Sequence, residues 1–89
     1  MIGSTVIIRT YAAGVHIGTL ATQEGTQVDL TDARRLWSWS GAFTLNEVAT
    51  TGVDRSRSRI SAHVPTIRLT EAIEIIPVTD GVDLTTTEG

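Results

Sequence analysis

Cysteine is absent from this chain, and so is lysine. Without thiols there is no disulfide and no thiolate metal site, and such a chain is at home in a reducing cytoplasm. Without lysine, all seven cations are arginines, planar forks rather than point charges. Aromatic residues are scarce: two tryptophans, one tyrosine and one phenylalanine. No apolar run approaches the ~18 residues that cross a bilayer, and the N-terminus lacks the basic and apolar regions of a secretory leader. Neither membrane insertion nor secretion is expected. Acidic groups outnumber basic ones, for a net charge of −3. General binding to duplex nucleic acid, which depends on neutralising phosphates, is not expected either.

The 89 residues make one domain. A chain this short buries only about 60–65 % of the surface its unfolded form exposes, so its core needs a supplement. With disulfides and thiolate metal sites excluded, self-association into a homo-oligomer is the simplest one. Residues 1–79 carry the β-rich pattern, and residues 80–89 read as a polar C-terminal tail.

The pattern predicts an α+β fold, mainly β: an antiparallel sheet or small, partly open barrel with one short helix. In residues 5–11, Val6 and Ile8 fall on one face and Ile7 on the other. A turn at Ala12-Ala13-Gly14 leads to a return strand over 15–21. A second turn, Gln23-Glu24-Gly25-Thr26, precedes a brief strand over 27–30, and connections this short make an antiparallel meander. Thr31-Asp32-Ala33 bends the chain into a further strand over 34–40. Thr44-Leu45-Asn46-Glu47 has capping-box spacing and opens a helix of about two turns that stops at Gly52. Ile60, Ala62 and Val64 alternate with Ser61 and His63 until Pro65. Residues 66–78 then read as one isoleucine-rich segment whose alternation slips at Thr70-Glu71-Ala72, predicting a bulge or kink there.

The segment 33–42 holds both tryptophans and two arginines. Strand alternation puts Arg35, Trp37 and Trp39 on one face and Arg34, Leu36 and Ser38 on the other. Two jobs suit the indoles. They can fill a core or an interface, where a large apolar side chain contributes roughly 1.5–3 kcal/mol. They can also form a stacking platform for a base, with Arg34 or Arg35 pairing to phosphate. Arg55, Arg57 and Arg59 follow at spacing two, which makes a basic stripe on a strand and a solvated cluster in a loop. His16 and His63 alternate with apolar residues and read as polar-face side chains, without metal-ligand spacing. Neither a nucleophile triad nor a phosphate loop is present, so no enzyme activity, cofactor or metal is expected.

Three runs carry a resemblance: Ile8-Arg9-Thr10-Tyr11-x-Ala13-Gly14-Val15-His16, Ala33-Arg34-Arg35-Leu36-Trp37-x-Trp39-x-Gly41-Ala42, and Leu69-x-Glu71-Ala72-Ile73-Glu74-Ile75-Ile76-Pro77. Together they resemble a family of small proteins of unknown function encoded by bacteriophages and prophages. The resemblance implies a bacterial cytoplasm or a virion as the setting, and it assigns no chemistry. Residues 54–59 lie outside all three runs.

The expected function is thus a non-enzymatic phage accessory protein, homo-oligomeric, binding a small anionic, nucleotide-like ligand and sequestering a host defence signal. Its ligand-binding residues would be Arg34, Arg35, Trp37, Trp39, Arg55, Arg57 and Arg59. The alternative is a virion or assembly component whose tryptophans and isoleucines make subunit contacts.

Overall fold

The computed structural model describes residues 1–42 and 44–87. Phe43, and Glu88 and Gly89 of the expected tail, lie outside the described residues. Six strands and one helix follow the order β1 (Thr5–Thr10), β2 (Val15–Glu24), β3 (Gln27–Ser38), α1 (Leu45–Thr51), β4 (Arg59–Ile60), β5 (Val64–Leu69) and β6 (Ala72–Pro77). A 3-10 turn, Arg55–Arg57, sits between α1 and β4. The expected meander is present: β1 pairs β2 and β2 pairs β3, both antiparallel. β6 joins the free side of β1. The far side of β3 is shared, with β5 along Val28 to Ala33 and β4 along Leu36 to Ser38.

This order forces the sheet to curl. β5 and β6 lie on opposite edges, which in a flat sheet would stand about 19 Å apart. Only Thr70 and Glu71 separate them in sequence, and three Cα steps reach at most ~11 Å. The two edges therefore meet at this link. The Ala72 N–H donates to the Thr26 carbonyl at 3.0 Å, and the Tyr11 N–H donates to that of Glu71 at 3.1 Å. No ladder joins β5 to β6 among the described residues, so the barrel stays partly open. The single segment expected over 66–78 is in fact these two strands, and the slip in alternation marks the turn between opposite edges. The chain's two prolines, Pro65 and Pro77, both fall on the strands that border the gap. The Val78 N–H donates to the Thr5 carbonyl, so its neighbour Pro77 turns its donor-less side away from β1, where nothing is lost.

Burial on both faces explains the run Val6-Ile7-Ile8, all three fully buried. Val6 and Ile8 join Leu20, Val28, Leu30, Ala33 and Leu69 inside the curl. Ile7 joins Ile17, Leu36 and Ile60 outside it, under Val48 and Ala49 of α1. The helix forms where its caps predict: the Thr44 hydroxyl accepts from the Glu47 N–H, and Gly52 leaves the helix at φ +83°. The outer layer is completed by residues 80–87. Leu84 is only 2 % exposed, and Thr87 exchanges two hydrogen bonds with the backbone of Ile60. The expected tail beyond residue 79 thus packs onto the domain as a strap, because Val82 and Leu84 supply apolar surface that the short helix alone does not.

A second departure lies in β3, which runs as one strand through the bend at Thr31-Asp32-Ala33. Ile17 pairs with Arg34 and Thr19 with Thr31, so two steps on β2 face three on β3. The extra residue makes a β-bulge at Asp32, whose φ of +51° is unusual for a residue with a side chain. Gly18 stands opposite. A Cβ there would approach the Thr31 carbonyl oxygen and the Leu30 Cβ to 3.0 Å each. Gly18→Ala is expected to destabilise the fold by about 1–3 kcal/mol, as overpacking against backbone does. A urea midpoint equal to or above the parent's would show that the bulge has room to give.

Candidate functional site

The bulge inverts the alternation of β3, and with it the placement of the two adjacent arginines. Before it, Val28 and Leu30 point inward; after it, Ala33 points inward and Arg34 outward. Arg34, 8 % exposed, donates from Nε to the Leu84 carbonyl at 2.8 Å and from Nη1 to the Asp32 carbonyl at 3.0 Å. Burial lowers its pKa, opposed by the Asp32 and Asp83 carboxylates. Its guanidinium is thus a strut between the bulge and the strap.

Arg35 takes the inner face, directly across from His16 of β2. Its Nε and Nη2 stand 3.4 and 3.1 Å from His16 Nε2. A guanidinium carries only donors, so Nε2 accepts and the ring proton of the neutral tautomer sits on Nδ1. That Nδ1 is buried without a partner among the described residues. The β3 backbone is held here by Ser61, whose hydroxyl accepts from the Arg35 N–H at 2.8 Å and whose N–H donates to the Arg35 carbonyl at 2.9 Å.

His16 and Arg35 line a cavity of about 210 Å³ where β3 changes partner from β5 to β4. Its other walls are Ala33, Arg34, Ser61, Ala62, Val64 and Ile67. A larger cleft of about 440 Å³ lies against the strap, lined by residues 77–85, residues 3–5 and Arg34. Both clefts combine cationic and aliphatic groups, but Arg35 and His16 line only the smaller one. His63 pairs with Asp32, which lowers the Asp32 pKa. The Ser61 hydroxyl donates to the Ala62 carbonyl, so it is not aligned on that histidine as a nucleophile.

The remaining candidates do not converge on this cavity. Trp37 is 56 % exposed, whereas Trp39 packs into the outer core beside Leu36 and Leu45. The shared face expected for the two indoles is lost because a further register shift, between Leu36 and Ser38 against β4, turns the chain before β3 ends. Arg55, Arg57 and Arg59 form no stripe. The first two lie in the 3-10 turn, where residues two apart point different ways. Arg55 donates to the carbonyls of Asp83, Thr85 and Thr86 at 3.3, 3.0 and 3.1 Å, a second clasp on the strap. Arg57 is exposed, 3.9 Å from Asp54, and Arg59 is exposed on β4. His16, read from the sequence as a polar-face side chain, is 1 % exposed and central to the cavity. Only the β2–β3 register, which places it opposite Arg35, could have singled it out.

A small curled antiparallel sheet with a cationic cavity at the break in its edge defines the class of protein. The chain belongs to the family described as a domain of unknown function (DUF6948), which it matches over residues 3–85. That span contains all three motif runs. Comparison with curated proteins and with solved structures returns no match.

Burial, with the Arg35 charge beside it, holds the His16 imidazole below its ordinary pKa of 6.5. On acidification the unfolded chain takes up this proton before the folded one. Stability is therefore undiminished above the ordinary value and is lost as pH falls through it. His16→Gln should flatten the fall in denaturation midpoint between roughly pH 7 and pH 5. A variant with the parental pH slope would contradict the buried neutral ring.

Proposed function

We propose that this protein is a non-catalytic binding protein for a small anionic ligand, taken up beside His16 and Arg35. The observation that supports this is the state of Arg35. Of the other six arginines, Arg9, Arg34, Arg55, Arg57 and Arg68 each stand within 4.0 Å of a carboxylate, and the exposed Arg59, with no such partner among the described residues, does not line the cavity. Arg35 contacts a neutral imidazole instead, and its Nη1 has no partner among the described residues. Arg35 is exposed, and a guanidinium at a cavity mouth whose free donors face solvent suits an anion from outside the chain. The cavity favours a ligand smaller than the nucleotide suggested by the sequence. Its volume is about 210 Å³, and no tryptophan, tyrosine or phenylalanine among the described residues lines it. In the setting the motif resemblance implies, a phage accessory protein in a bacterial cytoplasm, such binding would sequester a small host signal. Isothermal titration against a panel of small anions should give saturable heats that Arg35→Gln weakens about tenfold or more. Equal binding by the variant, or no binding by the parent, would sink the reading.

A second reading, subunit contacts in an assembly, is favoured by Trp37 and Ile73, large apolar side chains 56 % and 50 % exposed. Sedimentation at micromolar concentration should find a homo-oligomer that Trp37→Ser shifts toward monomer. A monomer throughout the concentration range would rule it out.

A further inference from the structure

We infer that the anion the cavity takes is a small aliphatic monocarboxylate, held head-first on Arg35 with its hydrocarbon body between β3 and β5. This rests on the reading of the cavity as an anion site and names the class of its ligand. Three features of the cavity point the same way.

The first is the number of cations available. Arg35 has committed its Nε and Nη2 edge to His16, and the outer end of the fork, Nη1 with the second Nη2 proton, is free. That end matches the two oxygens of one carboxylate. The other cation of the wall, Arg34, is already bound to the Leu84 and Asp32 carbonyls. A phosphate dianion, with three oxygens to satisfy, would find a single free guanidinium. The second feature is the sign of the polar groups. The lone pair of His16 Nε2 is taken by Arg35, and the Ser61 hydroxyl both accepts from the Arg35 N–H and donates to the Ala62 carbonyl. The side chains thus present donors and, beyond one remaining lone pair of the Ser61 hydroxyl, no free acceptor, which suits a head group that only accepts. An amide or alcohol would bring N–H or O–H groups for which the side chains here leave only that one lone pair.

The third feature is the wall. Ala33, Ala62, Val64 and Ile67 give the rest of the cavity an aliphatic lining. At about 210 Å³ it lies below the ~300 Å³ at which drug-sized sites begin. Ala62 and Val64 are exposed, so the groove is open on one side; the body it can cover is a short or branched hydrocarbon of roughly four to six carbons, and each methylene it buries should tighten binding about three- to fourfold.

The test is a titration of the full chain, by calorimetry and by the ring resonances of His16, against acetate, butyrate, isovalerate, inorganic phosphate, adenosine monophosphate and isovaleramide. The expected result is binding that strengthens from acetate to isovalerate by at least tenfold, with phosphate, nucleotide and amide weak. Arg35→Gln should weaken every carboxylate of the series about tenfold or more. Val64→Thr, near-isosteric and at a half-exposed position, should weaken isovalerate several-fold and leave acetate unchanged. Phosphate or nucleotide binding tightest, with the same dependence on Arg35, would overturn the carboxylate and leave the anion site standing. Binding that ignores Arg35, or none by any anion, would overturn both. A flat series from acetate to isovalerate, with Arg35 required, would overturn the aliphatic body alone.

Discussion

The bulge at Asp32, facing Gly18, is the constraint on which the rest of the structure depends. It adds one residue to β3, and because strand side chains alternate with period two, one residue reverses every assignment beyond it. Without it, Ala33 and Arg35 would leave the interior of the curl, and Arg34 and Leu36 would enter it. The arginine that clasps the strap and the arginine that faces the cavity would exchange places. The close approach at Gly18 is what lets the two strands stay paired through the change. The bulge thereby sets Arg35, an exposed guanidinium with no carboxylate beside it, against the buried neutral ring of His16.

Arginine without lysine has a physical sense in this frame. Arg34 joins two backbone carbonyls from distant parts of the chain, and Arg55 reaches three carbonyls of the strap. A planar fork with five fixed donors does this with little loss of side-chain freedom per bond, whereas an ammonium on a flexible stem would hold fewer partners. The strap follows from these clasps: polar carbonyls of residues 83–86 are satisfied by guanidinium groups while Leu84 enters the outer core. Electrostatics and apolar burial act here on the same eight residues.

Much of the fold could be read from the sequence, because its signals were local. The β1–β2–β3 meander, its inward and outward faces in Val6-Ile7-Ile8, and the helix between Thr44 and Gly52 all arise from turns and periods a few residues long. What escaped depends on pairings far apart in the chain. The turn at Thr70 and Glu71 looks like a slip within one strand until β6 is known to pair with β1. The strap looked like a tail because Leu84 is a lone apolar residue in a polar run, and its burial depends on Arg34, fifty positions away. The tryptophans illustrate how a register shift defeats alternation, since Trp37 and Trp39 share a face only on an unbroken ladder. Of the proposed site, the Arg34-Arg35 pair stands out in the sequence as a candidate. The division of labour between them, and the part played by His16, were not.

The two prolines have a further consequence. In an incompletely closed barrel, the bordering strands offer unpaired backbone groups to any neighbouring chain, and runs such as Ile73-Glu74-Ile75-Ile76 are the kind that template cross-β growth. Pro65 and Pro77 each interrupt that template with a position that can give no ladder bond. The fold can therefore leave its barrel ajar without inviting fibrillar propagation along the opening.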